Sequence, residues 1–403
     1  MDVKRLTAIS LGHFAIDILN SSIAMILTAV AGIFDLSVSQ IGLGAMIYTF
    51  AASLTQPLFG MVADRLRGRY LGAIGLLWTM TFYALAPLMP SYPALVLCLT
   101  IGALGSGAFH PVGIVNAAAS GGRYPTTATS IFFVLGQTGL AVGPILAGIV
   151  LQTLGVAGLP YLALIMAPVV LLMAVNLRQP IAEERTPPAP ARPPSTPATS
   201  RVASGRAASN TLIVTAFILL IALRSTTLQS YVTLLPKYFD DLGYAPALYG
   251  TMVGVFSFAG AMGTFLGGYL GDRFNRRQVI FLSMVASVPF SYGLLHLEGW
   301  GFFIMAAVAG AALNIPHSIL LIMAQRLLPA RKGMIGGAVL GFMFASGAAT
   351  AWLASWFADL VGLGTVLNWL ALVPMGAGLC ALVLPSTRAA PAPARPATPA
   401  AAD

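Results

Sequence analysis

Three polar side chains interrupt the first long apolar run of the chain: His13, Asp17 and Asn20. Their spacing of four and then three residues puts them on one face of a helix. Arg224 breaks the seventh run in a similar way and is followed by Ser225, Thr226, Thr227 and Gln229. A carboxylate or an imidazole at such a place can load and release a proton, and a guanidinium can hold an anion. A charge inside an apolar span is costly, so it calls for a partner or a wet cavity and by default marks a substrate or ion pathway. The plainer reading is a buried Asp17–Arg224 pair that only fixes helix packing. Two further places join a histidine to a proline. His110 precedes Pro111 after the small-residue stretch Gly102-Ala103-Leu104-Gly105-Ser106-Gly107, and Asn314 and Pro316 precede His317. Proline predicts a kink and a freed carbonyl at both. Each histidine reads either as a protonatable group lining a cavity or as a hydrogen-bonded packing residue. Asp17 and His110 are the candidates for proton coupling. His13, Asn20, Arg224, Gln229, Asn314 and His317 are the candidates for substrate contact.

The elements that must position these residues follow from composition. Of 403 residues, 58% are hydrophobic and 8% charged, whereas a soluble domain carries about 25% charged residues. Such a chain is an integral membrane protein. Twelve apolar runs approach the ~20 residues needed to cross a bilayer. They cover roughly 6–33, 41–62, 70–88, 94–118, 126–153, 160–177, 211–235, 247–270, 279–297, 301–324, 333–357 and 364–384. All Lys and Arg except Lys237 and Arg224 fall in the connections and termini on one side. By the positive-inside tendency that side is cytoplasmic, and both termini lie there. The net charge of +9 therefore reflects membrane topology and does not point to nucleic acid. Cys98 and Cys380 both sit in apolar runs, so no disulfide framework is indicated. Lys4 and Arg5 precede the first run without a small-residue cleavage site, which reads as a retained first helix.

The fold expected is all-α, with twelve transmembrane helices in two pseudo-symmetric six-helix bundles over 1–178 and 211–386. Residues 179–210, rich in Pro and Arg, read as a flexible cytoplasmic linker. Residues 387–403 read as a disordered Ala/Pro-rich tail.

An internal repeat supports the two halves. Gly60-Met61-Val62-Ala63-Asp64-Arg65-Leu66-Arg67-Gly68-Arg69 returns as Gly268-Tyr269-Leu270-Gly271-Asp272-Arg273-Phe274-Asn275-Arg276-Arg277. Each copy is a tight basic turn between apolar runs, with Gly60 or Gly268 leaving room for a neighbouring helix. A charged hairpin that only sets topology is the bland reading of one copy, and it is weaker for two copies at matching places. In the fifth run, Gly139-Leu140-Ala141-Val142-Gly143-Pro144 and Gly148 read as a kinked helix with small residues at a packing face.

The repeated turn resembles the loop between the second and third helices of major facilitator superfamily transporters. Asn275 stands where the family has Gly, and the first copy is one residue longer between Asp64 and Gly68. In that family the aspartate interacts with the start of a helix in the opposite half and helps hold the outward-facing state. The resemblance implies this gating role for Asp64 and Asp272, with Gly60, Arg65, Arg69, Gly268, Arg273 and Arg276 around them. Gly139, Gly143 and Pro144 resemble an element of the superfamily's antiporters, with Ala147 replacing one Gly. Gly12-His13-Phe14 with Asp17, Gly105 through Pro111, Ala119-Ser120-Gly121-Gly122-Arg123 and Ala324-Gln325-Arg326-Leu327-Leu328-Pro329 are similar to the fosmidomycin-resistance efflux branch. The chain departs from that branch at Val112 and Asn116, where an acidic residue and an Arg often stand nearby. Its substrate and proton site therefore do not carry over.

The function expected is a proton-coupled secondary transporter, an antiporter of a bacterial inner membrane that exports a small anionic or amphipathic compound. A symporter importing a small organic anion is the alternative. A receptor or membrane enzyme on twelve helices is a further one, but no nucleophile–base spacing, nucleotide loop or metal-ligand cluster appears. The partners expected are a small-molecule substrate, protons and the lipid bilayer, with no cofactor, no metal, no nucleic acid and a monomeric chain.

Overall fold

The computed structural model describes the backbone of residues 1–66, 70–177, 205–327 and 332–386. Most of the expected linker and the whole expected tail lie outside the described residues, as do Arg69 and the side chains of Asp64 and Arg65. The twelve apolar runs form twelve helical spans long and apolar enough to cross a membrane. They are span 1 (Val3–Ala31), span 2 (Val38–Val62), span 3 (Leu71–Leu88), span 4 (Tyr92–Ser120), span 5 (Pro125–Leu154), span 6 (Val156–Asn176), span 7 (Thr211–Asp241), span 8 (Pro246–Arg273), span 9 (Arg276–His296), span 10 (Trp300–Ala324), span 11 (Ala338–Val361) and span 12 (Leu363–Val383). Helix satisfies every backbone polar group within one segment, which a lipid environment demands. Local chemistry sets the starts. Asp2 accepts from the Arg5 N–H, Ser37 and Gln40 form a reciprocal capping box, and Pro125 and Pro246 open spans 5 and 8 where an N–H is dispensable. Spans 11 and 12 are joined through the single residue Gly362 at φ 92°, a conformation that favours glycine.

The two prolines beside histidines behave differently from the shared expectation. Span 4 runs through Pro111 as one continuous helix. Span 10 breaks at Ile315, immediately before Pro316. The carbonyls at that break accept from side chains: Leu313 from Arg224 Nε at 2.7 Å and Asn314 from Thr264 Oγ1 at 3.5 Å. These side chains supply partners where Pro316 interrupts the ladder.

Between the halves, span 2 packs on span 11 and span 5 on span 8. Both contacts are close because small residues line them. A Cβ at Gly42 would collide with Ser355, and one at Gly250 with the Pro144 carbonyl. The hydrogen bonds that join described residues of the two halves lie at the end away from the termini. Asp359, near the C-terminal end of span 11, accepts from the N–H groups of Val38 at 2.8 Å and Ser39 at 3.1 Å, the first turn of span 2. Gln152, near the C-terminal end of span 5, accepts from the Ala247 N–H in the first turn of span 8 at 3.3 Å. Gln152 and Asp359 occupy matching places in the repeat, as do Ser39 and Ala247. The pseudo-twofold therefore produces two equivalent helix caps, each reaching from one half to the other. One is a carboxylate placed at the positive end of a helix dipole, and the other is a neutral amide.

Removing the charged cap should loosen this end. In Asp359→Ala, the population open at this end should rise about five-fold, equivalent to ~1 kcal/mol after allowing for solvent exposure. The measurement is the distance distribution between spin labels at Ile33 and Leu360, both exposed. An unchanged distribution would mean that apolar packing alone holds the end shut.

Candidate functional site

Spans 1, 4 and 5 build a buried polar cluster in the first half. His13 and Asp17 are 4% and 5% exposed, inside a bundle whose buried side chains are mostly apolar. The Asp17 carboxylate meets His13 Nε2 through Oδ2 at 3.2 Å and His110 Nε2 through Oδ1 at 3.5 Å. Asn20 donates through Nδ2 to Asp17 Oδ1 at 3.0 Å and to Ser106 Oγ at 3.0 Å, and accepts from the Tyr48 hydroxyl at 2.6 Å. The helical spacing of His13, Asp17 and Asn20 thus does place them together. His110 comes from span 4, one helix turn beyond Ser106.

Glycines on span 5 make the approach possible. A side chain at Gly136 would overlap the His13 ring. A Cβ at Gly139 would stand 3.1 Å from Asp17 Cβ and against the Phe14 carbonyl. One at Gly143 would meet Ser21 and the Ile18 carbonyl. Span 5 therefore lies flush on the face of span 1 that carries the cluster, and Phe132 stacks on the His13 ring at 4.0 Å. Gly139 and Gly143 pack within one half, whereas the Pro144 carbonyl faces Gly250 across the two halves.

The distal ring nitrogens settle the hydrogen count. His13 Nδ1 lies 2.8 Å from the Phe132 carbonyl, and His110 Nδ1 lies 2.8 Å from the Ser106 carbonyl. A carbonyl only accepts, so each Nδ1 carries a hydrogen. Each Nε2 then presents a lone pair to a carboxylate oxygen unless a further hydrogen lies between them. The cluster has two such N···O contacts and a carboxylate that brings no hydrogen of its own.

The second half answers with opposite charge. Arg224, 1% exposed, donates from Nε to the Leu313 carbonyl at 2.7 Å and from a terminal nitrogen to Asn314 Oδ1 at 2.8 Å. The same nitrogen is 3.5 Å from His317 Nδ1. All three acceptors are neutral side-chain or backbone groups. His110 and His317 hold matching positions in the repeat, so one half sets its histidine against a carboxylate and the other against a guanidinium. Asp17 and Arg224 form no salt bridge with each other, and the paired arrangement weighed from sequence does not occur. Gln229 bonds within its own helix, from Nε2 to Thr233 Oγ1 at 3.4 Å, and packs on Gly347 of span 11.

At the basic end, a Cβ at Gly60 would stand 3.8 Å from Pro111 and one at Gly268 3.7 Å from Ser318, both ordinary contact distances. These are matching contacts onto spans 4 and 10. Asp272 is paired at 3.7 Å with Arg276 of its own half, and its side chain is 73% exposed. Arg273 lies 4.2 Å from the centre of the Tyr269 ring. The Asp272–Arg276 pair and the Arg273–Tyr269 contact both stay within their own half.

Several participants carry no sequence signal. Tyr48 and Ser106 stand among other uncharged polar residues of spans 2 and 4 with nothing to single them out, and the Phe132 carbonyl belongs to an unremarkable backbone. The small residue Gly136 is the one cue that a ring might press against span 5. The sequence spacing shows no metal-ligand cluster, but packing brings three potential donors together from two spans. The side-chain donor atoms of His13, Asp17 and His110 lie within 4.8 Å of one another.

The sequence matches the family profile described as Major Facilitator Superfamily over residues 9–247 and 217–402. It is 30% identical over 395 residues to the fosmidomycin resistance protein of Escherichia coli (strain K12), covering 95% of this chain and 93% of that one. Against the MFS-type transporter YfnC of Bacillus subtilis (strain 168) it is 28% identical over 376 residues, covering 91% and 90%. A bacterial homolog of the human lysosomal transporter Spinster, in an inward-facing and unoccupied conformation, superposes with a TM-score of 0.77 at 13% identity, covering 95% of this chain and 98% of that chain. A D-xylose–proton symporter superposes with a TM-score of 0.74 at 14% identity, covering 96% and 99%. Twelve spans, a repeated basic turn and matched polar clusters in two halves are thus accompanied by a family match along nearly the whole sequence: the chain belongs to the major facilitator superfamily of transporters.

Proposed function

We propose that the protein is a proton-coupled antiporter of a bacterial inner membrane, exporting a small anionic or amphipathic compound by alternating access. One observation carries this reading. A buried carboxylate short of hydrogens and a buried guanidinium short of an anion occupy repeat-related places in the two halves. A charge out of water is tolerated when something neutralises it. Protons do this for the Asp17 cluster, with Asp17 and His110 as the coupling groups. Substrate does it for Arg224, with Asn314 and His317 beside it, and His13, Asn20 and Gln229 complete the contact set. The relative named for fosmidomycin resistance supports efflux of a drug-like compound.

Orientation follows from the charges. The basic turns and both termini are assigned to the cytoplasm, so the end sealed by Asp359 and Gln152 faces outward. A seal at the outer end supports reading this as an inward-facing state. The halves comprise residues 1–178 and 211–386, and the transporter works as a monomer. Asp64 and Asp272 act as gates and do not touch substrate. They engage the opposite half when the cytoplasmic end closes, consistent with the solvent exposure of Asp272 in the present state.

The first test uses the purified protein in vesicles with an imposed pH gradient, with fosmidomycin and small carboxylates as probes. Accumulation against the substrate gradient in the direction opposite to proton flow is expected. Accumulation in the direction of proton flow would establish the symporter instead. Asp17→Asn should abolish gradient-driven flux while substrate counterflow at equal pH persists. Arg224→Gln should weaken substrate binding by more than ~10-fold, because the anion loses a buried charged partner. Near-normal gradient-driven flux in Asp17→Asn would make that cluster structural.

Asp272→Asn should slow transport and lengthen the time spent facing inward, while leaving substrate affinity within a few-fold. Single-molecule fluorescence across the cytoplasmic end reads the first effect and equilibrium binding the second. A large loss of affinity with normal exchange rates would contradict the gating role.

A further inference from the structure

The geometry points to a divalent transition-metal site made by His13, Asp17 and His110, independent of what the transporter carries. Two imidazoles and one carboxylate are a donor set suited to Zn²⁺, Co²⁺ or Ni²⁺. Zinc–ligand bonds of about 2.0–2.1 Å set tetrahedral ligands ~3.3 Å apart. The Asp17 carboxylate meets His13 Nε2 at 3.2 Å through Oδ2 and His110 Nε2 at 3.5 Å through Oδ1, and the donor atoms of the three residues lie within 4.8 Å of one another, so a small closure of the set brings them around one ion. The two rings cross at 84° with centroids 5.2 Å apart, so their Nε2 atoms converge on the carboxylate from different directions.

The surrounding groups are those a metal site requires. A ligating histidine holds its tautomer by donating its other ring N–H, commonly to a backbone carbonyl. Both histidines do so here, to Phe132 and Ser106, which leaves each Nε2 lone pair pointing inward. Asp17 is fixed in turn by Asn20, and Asn20 by Tyr48. Two rings locked through their outer N–H groups, with both Nε2 atoms turned to one carboxylate, form a converging donor set that can hold either hydrogens or a metal ion. A divalent ion takes the place of the two missing hydrogens. It has three protein ligands and a fourth position free for water or an external ligand, reached past His110, whose side chain is 21% exposed.

The test is direct binding, so its outcome does not depend on transport. Full-length protein, freed of any polyhistidine tag and kept in detergent, is titrated with Co²⁺ and followed by its visible d–d absorption. Zn²⁺ then competes. One equivalent with a tetrahedral spectrum is expected. His13→Ala, His110→Ala and Asp17→Asn should each weaken binding by more than ~10-fold, and Asn20→Ala by ~10–100-fold through loss of ligand orientation. His296→Ala should leave binding unchanged, since His296 bonds Asn368 at 2.9 Å at the sealed end. Size-exclusion profiles identify any variant that fails to fold, and Asn20→Ala, which keeps all three ligands, stands in for it. No saturable binding to the wild type would overturn the proposal. So would binding that survives the substitutions at His13, Asp17 and His110 or is lost with His296.

Discussion

A charged side chain taken out of water must be neutralised where it lies, and this constraint organises the protein. The bundle interior offers few polar groups, so each charge gathers those within reach. Asp17 draws histidines from two spans and an amide from its own. Arg224 turns instead to the Leu313 carbonyl and the Asn314 side-chain amide where span 10 breaks. The break before Pro316 therefore has an electrostatic use. It presents carbonyl oxygen to a cation that has no carboxylate beside it among the described residues.

The second requirement is close approach. In lipid, association of helices rests on packing rather than on a hydrophobic driving force between them, so backbones must come near each other. Gly136, Gly139 and Gly143 allow this for span 5 on span 1, and Gly263, Gly267 and Gly310 for spans 8 and 10. The same small faces that stabilise the bundle also bring the His13 ring against Phe132. Packing and site geometry are here one problem, and a methyl group at Gly136 would disturb both.

Much of this is legible in the sequence, and the boundary of legibility is physical. Apolar runs near ~20 residues reveal spans because bilayer thickness sets their length. His13, Asp17 and Asn20 can be placed on one face because helical spacing is local. The repeated turn at Asp64 and Asp272 reveals the two halves. What stays hidden is lateral. That His110 meets Asp17, while Arg224 meets a carbonyl, depends on how spans neighbour one another. Two lone charges in apolar runs invite pairing on paper, yet they belong to different halves. The caps at Asp359 and Gln152 are hidden for the same reason, since each side chain serves a helix from the other half. Proline is equally ambiguous: Pro111 sits inside an unbroken helix, and Pro316 begins a new one.

The two caps also break the near-symmetry of the fold. One edge is held by a carboxylate with two N–H donors, the other by a single, longer amide contact. Dissolved salt therefore acts on the two edges unequally: screening weakens the charged contact of Asp359 with its helix end, whereas the neutral contact of Gln152 is largely untouched.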